Sequence, residues 1–181
     1  MRRLSKAALP ALAAAVRPPR YDRSRLAVGI AHIGVGAFHR CHQAEFTDDM
    51  LETRFGPWGV VGVNLYPPRL AEMLAPQDHL FSRTLRHGAS AETRIIGSIL
   101  RGIDIEDAAS AEAAVEALAA PSLGVATMTV TEKGYCLIPA SGVLDTSNPQ
   151  LRADLDGAEP PRTVLGLLAL ALERRRATDE P

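Results

Sequence analysis

The chain has few cysteines, no excess of either charge and no long apolar run, and each lack excludes something. Cys41 and Cys136 are its only cysteines, too few for a disulfide framework, so a reducing, cytoplasmic setting is the simpler expectation. Twenty basic residues stand against 21 acidic ones, a net charge of −1, which offers no general attraction to nucleic acid or anionic lipid. No run approaches the roughly 20 apolar residues that span a bilayer. The N-terminal "MRRLSKAALPALAAAVRPP" has the ingredients of a secretory signal, but Pro10 interrupts it and the basic "RPPRYDRSR" follows. An arm over residues 1–27, packed across one domain of ordinary size, explains the same residues.

The rest alternates strand and helix patterns. "VGIAHI", Val28–Ile33, is short, apolar and β-branched, as a strand buried on both faces should be. From Phe38 to Leu51 the spacing of Phe38, Cys41 and Ala44 suits one helix on a sheet. "WGVVGVNL", Trp58–Leu65, repeats the buried-strand pattern after Gly56 and Pro57. "HLFSRTLRH" and "ETRIIGSILRGI" alternate apolar and polar residues about Gly88 and predict an inserted antiparallel hairpin. Ala108, Ala111, Val115 and Leu118 share a helical face ahead of Pro121; Gly124–Val130 reads as a further buried strand and "TEKGY" as the loop after it. "NPQLRADLDGAEPP" reads as a surface connection, and Thr163 as the cap of a helix whose three closing arginines suit its dipole. The fold class expected is α/β: a Rossmann-like, mostly parallel sheet with helices on both faces and an inserted hairpin, over residues 28–181.

Ligands in such sheets bind beyond the carboxyl ends of the strands. Gly34 and Gly36 stand where a dinucleotide fold needs a tight turn and a bare approach to a pyrophosphate. The third glycine of G-x-G-x-x-G is missing, for residue 39 is His. The acid expected at the end of the second strand, to bond the adenosine ribose, is also missing. Asn64 is there instead and could bond a hydroxyl, while Arg69 could meet a 2′-phosphate. His39, Cys41 and His42 cluster in sequence, but residue 41 points away from the other two on a helix and no second cluster completes a metal site, so no metal is expected.

"AHIGVGAFHRCHQA" resembles the G-x-G-x-F-H-R-x-H-Q-A signature of the polyol-specific long-chain dehydrogenase/reductase family, which includes mannitol 2-dehydrogenase, arabinitol dehydrogenase and fructuronate (mannonate) reductase. "WGVVGVNL", "RIIGSI" and "TVTEKGYCL" extend the match. The resemblance implies NAD(P)-dependent oxidation of a secondary alcohol of a polyol or sugar acid by hydride transfer, with NAD the preferred cofactor and no zinc. It makes His39 normal for the family. It also implies that Gly34, Val35, Gly36, Ala37 and Phe38 wrap the pyrophosphate and that Thr131 and Glu132 flank the nicotinamide.

The family takes its proton-transfer lysine from a C-terminal helical domain that also shapes the substrate pocket. Here the only lysines are Lys6 and Lys133, neither in a K-x4-N-x2-H arrangement. No catalytic residue is therefore expected in these 181 residues. The sheet is expected to be incomplete, exposing an edge strand. The alternative is a non-catalytic nucleotide-binding or assembly module.

Overall fold

The computed structural model describes residues 3–178. The first two residues of the arm and the last three of the 28–181 segment lie outside the described residues. Ahead of Val28 the chain makes two 3-10 turns, Lys6–Ala11 and Arg23–Arg25, and a two-residue strand, β1 (Val16–Arg17). There follow β2 (Val28–Ile33), α1 (Ala37–Cys41), α2 (Gln43–Thr53), β3 (Gly59–Asn64), α3 (Leu70–Leu74), β4 (Phe81–His87), β5 (Ser90–Ile96) and β6 (Ile99–Asp104). The chain then forms α4 (Ala108–Ala119), β7 (Val125–Met128), α5 (Pro149–Leu155) and α6 (Val164–Ala177).

Four strands form one parallel sheet in the order β6-β3-β2-β7. The chain moves outward from β2 through β3 to β6, then returns to place β7 on the other flank of β2, so the order reverses between β2 and β7. Alternate residues of the two central strands face opposite sides. Ala31, Ile33, Val61 and Val63 meet α4 and α6 in one core, while Ile30 and Val60 meet Ala44, Leu70, Leu74, Phe81 and Ile96 in the other. Burial on both faces is why β2 and β3 read as nearly unbroken apolar runs.

Three expectations are corrected. The helix foreseen over Phe38–Leu51 is two helices, broken at His42 (φ −127°, ψ −84°). There the imidazole Nδ1 takes the Phe38 carbonyl at 2.8 Å, the bond a regular helix would give to the His42 amide. "ETRIIGSILRGI" is not all hairpin: β4 and β5 pair antiparallel, but Ile99–Asp104 leaves them and runs parallel to β3. As an edge strand β6 has one partly wet face, which produces alternation without a hairpin. The presumed surface connection contains α5, started by Asn148, whose side chain accepts from the Gln150 and Leu151 amides. Thr163 caps α6 as foreseen, accepting from the Gly166 amide at 3.0 Å.

The hairpin and β1 form a second, three-stranded sheet in the order β1-β5-β4. It is tied to α2 by Arg94, whose buried guanidinium meets Asp48 at 2.7 Å and also contacts Asp49. Arg17 of β1 reaches Glu52 at 2.9 Å, and Tyr21 donates to Asp48 at 2.6 Å. The buried strand expected over Gly124–Val130 is shorter, β7 (Val125–Met128), and among the described residues it is an edge of the parallel sheet, so Val125 and Met128 are exposed. Among the described residues no helix is long and apolar enough to cross a membrane.

Candidate functional site

Where the strand order reverses, the loops after β2 and β7 diverge and leave a cleft of about 250 Å³. Gly34, Val35 and Gly36 form one lip, and Thr129, Val130, Thr131 and Gly134 the other; Asn64 and the segment Leu65–Pro68 close the side, with Ile33 and Val164 also lining it. Of the expected site residues, Gly34, Val35, Gly36, Asn64 and Thr131 are thus brought together. Ala37 and Phe38 lie just outside, exposed in the first turn of α1, and Glu132 is exposed in the 3-10 turn Glu132–Tyr135.

The two glycines are required for different reasons. Gly34 has φ +91°, and a Cβ there would overlap the Thr129 carbonyl, so the meeting of the two lips demands glycine. Gly36 has an ordinary extended backbone (φ −92°), and among the described residues, its two chain neighbours aside, a Cβ there would meet no atom nearer than 4.0 Å. Packing among the described residues does not explain its missing side chain.

The amides of the turn are mostly engaged. Gly34 N–H donates to the Val63 carbonyl at 2.8 Å, Val35 N–H to Asn64 Oδ1 at 2.8 Å, and Gly36 N–H to the Gly34 carbonyl at 2.7 Å. Among the described residues none supplies an acceptor to the Ala37 and Phe38 amides, which begin α1 and have no intrahelical partner. The donors open to an anion are therefore those following the glycines. Asn64 holds the turn from below: it is buried, and its Nδ2 donates to Asp104 Oδ1 at 2.8 Å, leaving one N–H for a ligand. Asp104 in turn accepts the Ala71 and Glu72 amides at the start of α3.

His39, at the third-glycine position, is fully buried with its ring 3.7 Å from that of His32 and nearly parallel to it. Burial pushes His32 down to about 4 and His39 to about 3, the latter helped by His32 and the Arg40 charge. Cys41 and His42 are exposed and do not join His39. Arg69 pairs with Glu106 at 2.9 Å in an open hollow also lined by Glu72 and Asp104. Lys133 is exposed on the 3-10 turn.

Sequence reading missed Tyr66, which lines the cleft and donates to the Arg162 carbonyl at 2.5 Å, tying the loop after β3 to the start of α6. Its only signal was its place just past the second strand. His32 was also missed, for an imidazole in an apolar strand gives no periodic cue.

Comparison with known proteins places this arrangement. Residues 28–181 match the family described as the mannitol dehydrogenase Rossmann domain. The chain is 40% identical over 164 residues to D-mannonate oxidoreductase of Escherichia coli K12, covering 89% of this chain and 34% of that protein. It is 39% identical over 165 residues to mannitol 2-dehydrogenase of Pyrenophora tritici-repentis, covering 90% and 29%. The fold superposes with a TM-score of 0.92 and 37% identity on Pseudomonas fluorescens mannitol 2-dehydrogenase, solved as a ternary complex with NAD and D-mannitol, covering 99% of this chain and 37% of that one. The chain thus spans about a third of the length of the curated relatives it matches. It belongs to the mannitol dehydrogenase family, as a Rossmann domain of that family.

Proposed function

We propose that this chain binds a nicotinamide dinucleotide across the Gly34–Gly36 turn, as the cofactor-holding part of an oxidoreductase acting on a secondary alcohol of a polyol or sugar acid. The observation that carries the reading is Gly36, bare of a side chain without any need of the protein's own packing, beside a cleft at the reversal of strand order. The presence of NAD and D-mannitol in the complex of the Pseudomonas enzyme supports the same ligand class. The Ala37 and Phe38 amides bond the diphosphate, Asn64 fixes the turn beneath it with one N–H facing the ribose side, and Thr131 and Glu132 flank the nicotinamide. When bound, the nicotinamide supplies the hydride acceptor or donor.

NAD is the cofactor assigned. Arg69, the cation placed for a 2′-phosphate, shares its hollow with Glu72, Asp104 and Glu106, and three carboxylates against one guanidinium disfavour an added phosphate. Proton transfer is not supplied by this cleft: among the described residues Tyr66 is its only titratable lining residue, and burial raises that phenol further. The division into an arm, residues 1–27, and a nucleotide domain from residue 28 belongs to the same proposal. Fluorescence titration of the 181-residue chain with NADH and NADPH tests it. Saturable NADH binding with weaker NADPH binding is expected; NADPH preference would overturn the NAD assignment, and binding of neither at millimolar concentration would overturn the reading.

A further inference from the structure

His32 lies in β2 on the face turned to α1, with His39 of α1 stacked on its ring and a hydrogen-bond partner at each ring nitrogen. Nε2 is 3.2 Å from the Gly34 carbonyl and Nδ1 is 2.8 Å from Thr127 Oγ1. A carbonyl only accepts, so Nε2 carries the hydrogen and Nδ1 is bare. The Thr127 hydroxyl has one hydrogen and gives it to the bare Nδ1 at 2.8 Å over Gln43 Oε1 at 3.1 Å, while Gln43 Nε2 donates to the hydroxyl oxygen at 3.0 Å. A one-way chain of hydrogen bonds therefore runs from α2 through β7 to the carbonyl of the first glycine. That carbonyl also accepts the Gly36 amide at 2.7 Å, so His32 holds the oxygen that sets the pitch of the turn.

His39 completes the device. Its ring is fully buried, and neither ring nitrogen has a hydrogen-bond partner among the described residues. An unmet donor inside a protein is destabilising, so hydrogen bonding does not account for a histidine here. A flat ring does: at 3.7 Å and 14° from parallel it lets α1 approach β2 and clamps the His32 plane.

We infer that His32 and His39 are positioning residues for the dinucleotide turn, the stacked pair doing by ring-on-ring contact what a third glycine does by absence, with His32 fixing the Gly34 carbonyl. The inference rests on the dinucleotide reading above for its effect on affinity, but not for its effect on the turn. The burial that keeps both rings neutral supports it, because a protonated His32 would present a second donor to Thr127 and break the direction of the chain.

The test uses the full chain and two readouts, NADH titration and hydrogen exchange of the Gly36 amide in the free protein. His32→Met removes ring and donor, whereas His32→Gln removes the ring but keeps a donor near the Nε2 position. His32→Met is expected to weaken NADH binding and speed Gly36 exchange about tenfold, the worth of one lost hydrogen bond, with His32→Gln recovering most of both. His39→Phe, flat and without nitrogens, is expected to hold both readouts within about threefold and His39→Leu to lose them; equal effects of the two would remove His39 from the inference. Thr127→Val, an isosteric change on an edge strand, carries the test if His32→Met does not fold, with faster Gly36 exchange expected. Unchanged Gly36 exchange in His32→Met or, failing that, in Thr127→Val, or equal losses in His32→Gln and His32→Met, would overturn the inference. Absence of NADH binding by the unaltered chain would instead overturn the dinucleotide reading, leaving the exchange comparison to judge the positioning role.

Discussion

Alanine at Gly34 and valine at Gly36 should have opposite consequences, because one glycine serves the fold and the other the ligand. At Gly34 an L side chain meets a backbone at φ +91° and overlaps the Thr129 carbonyl. The left-handed conformation costs about 1–2 kcal/mol and the overlap about 1–3 kcal/mol. A loss near 3 kcal/mol lowers the Tm of a chain this size by roughly 6–12 °C. At Gly36 the backbone is extended and a Cβ has no neighbour nearer than 4.0 Å among the described residues, its chain neighbours aside, so Gly36→Val should leave stability within about 1 kcal/mol. Its branched methyls nonetheless stand where the diphosphate must approach, and NADH affinity should fall at least about tenfold, or 1.4 kcal/mol. Calorimetric melting with NADH titration of both variants decides. If Gly36→Val melts as low as Gly34→Ala, or binds NADH as the unaltered chain does, Gly36 is a structural glycine and the reasoning fails.

Acid should weaken the fold through the two histidines. Their folded pKa values, about 4 for His32 and about 3 for His39, lie below the unfolded value, so the unfolded chain takes up protons that the native one refuses, and stability falls as pH drops below about 6.5. Between pH 7 and pH 5 the pair's share is roughly 3–4 kcal/mol in urea unfolding, and His39→Phe, which leaves Arg40 facing an uncharged ring, should remove about half of it. Arg94→Met strips the cation from Asp48 and Asp49 at the junction of α2 and β5; a loss of about 3–5 kcal/mol is expected by chemical denaturation, and a loss under about 1 kcal/mol would refute a structural role for Arg94. Asn64→Leu leaves the Val35 amide without its acceptor and should cost about 1–3 kcal/mol in the same assay, with weaker NADH binding.

What the sequence disclosed depended on how local the cause was. β2 and β3 were legible because burial on both faces writes an apolar run directly into the chain. β6 was misread because an edge strand of a parallel sheet has the same alternation as a hairpin strand, and only its pairing with β3 separates them. The break between α1 and α2 was hidden because a side chain, the His42 ring, takes over a backbone bond without altering the apolar spacing. The glycine pair was visible, but not that Gly34 answers to Thr129, some 95 residues further along the chain, while Gly36 answers to no contact among the described residues. The engaged amides moved the open donors past the glycines to Ala37 and Phe38, and Asn64 became the support of the turn, both consequences of contacts between separate strands.

The most direct test of the central claim is a two-dimensional amide NMR titration of the 181-residue chain with NADH. The largest shifts are expected at Gly36, Ala37, Phe38 and Thr131, around the turn and the facing lip. Shifts confined to other surfaces, or none at millimolar NADH, would contradict the placement of the dinucleotide over the paired glycines.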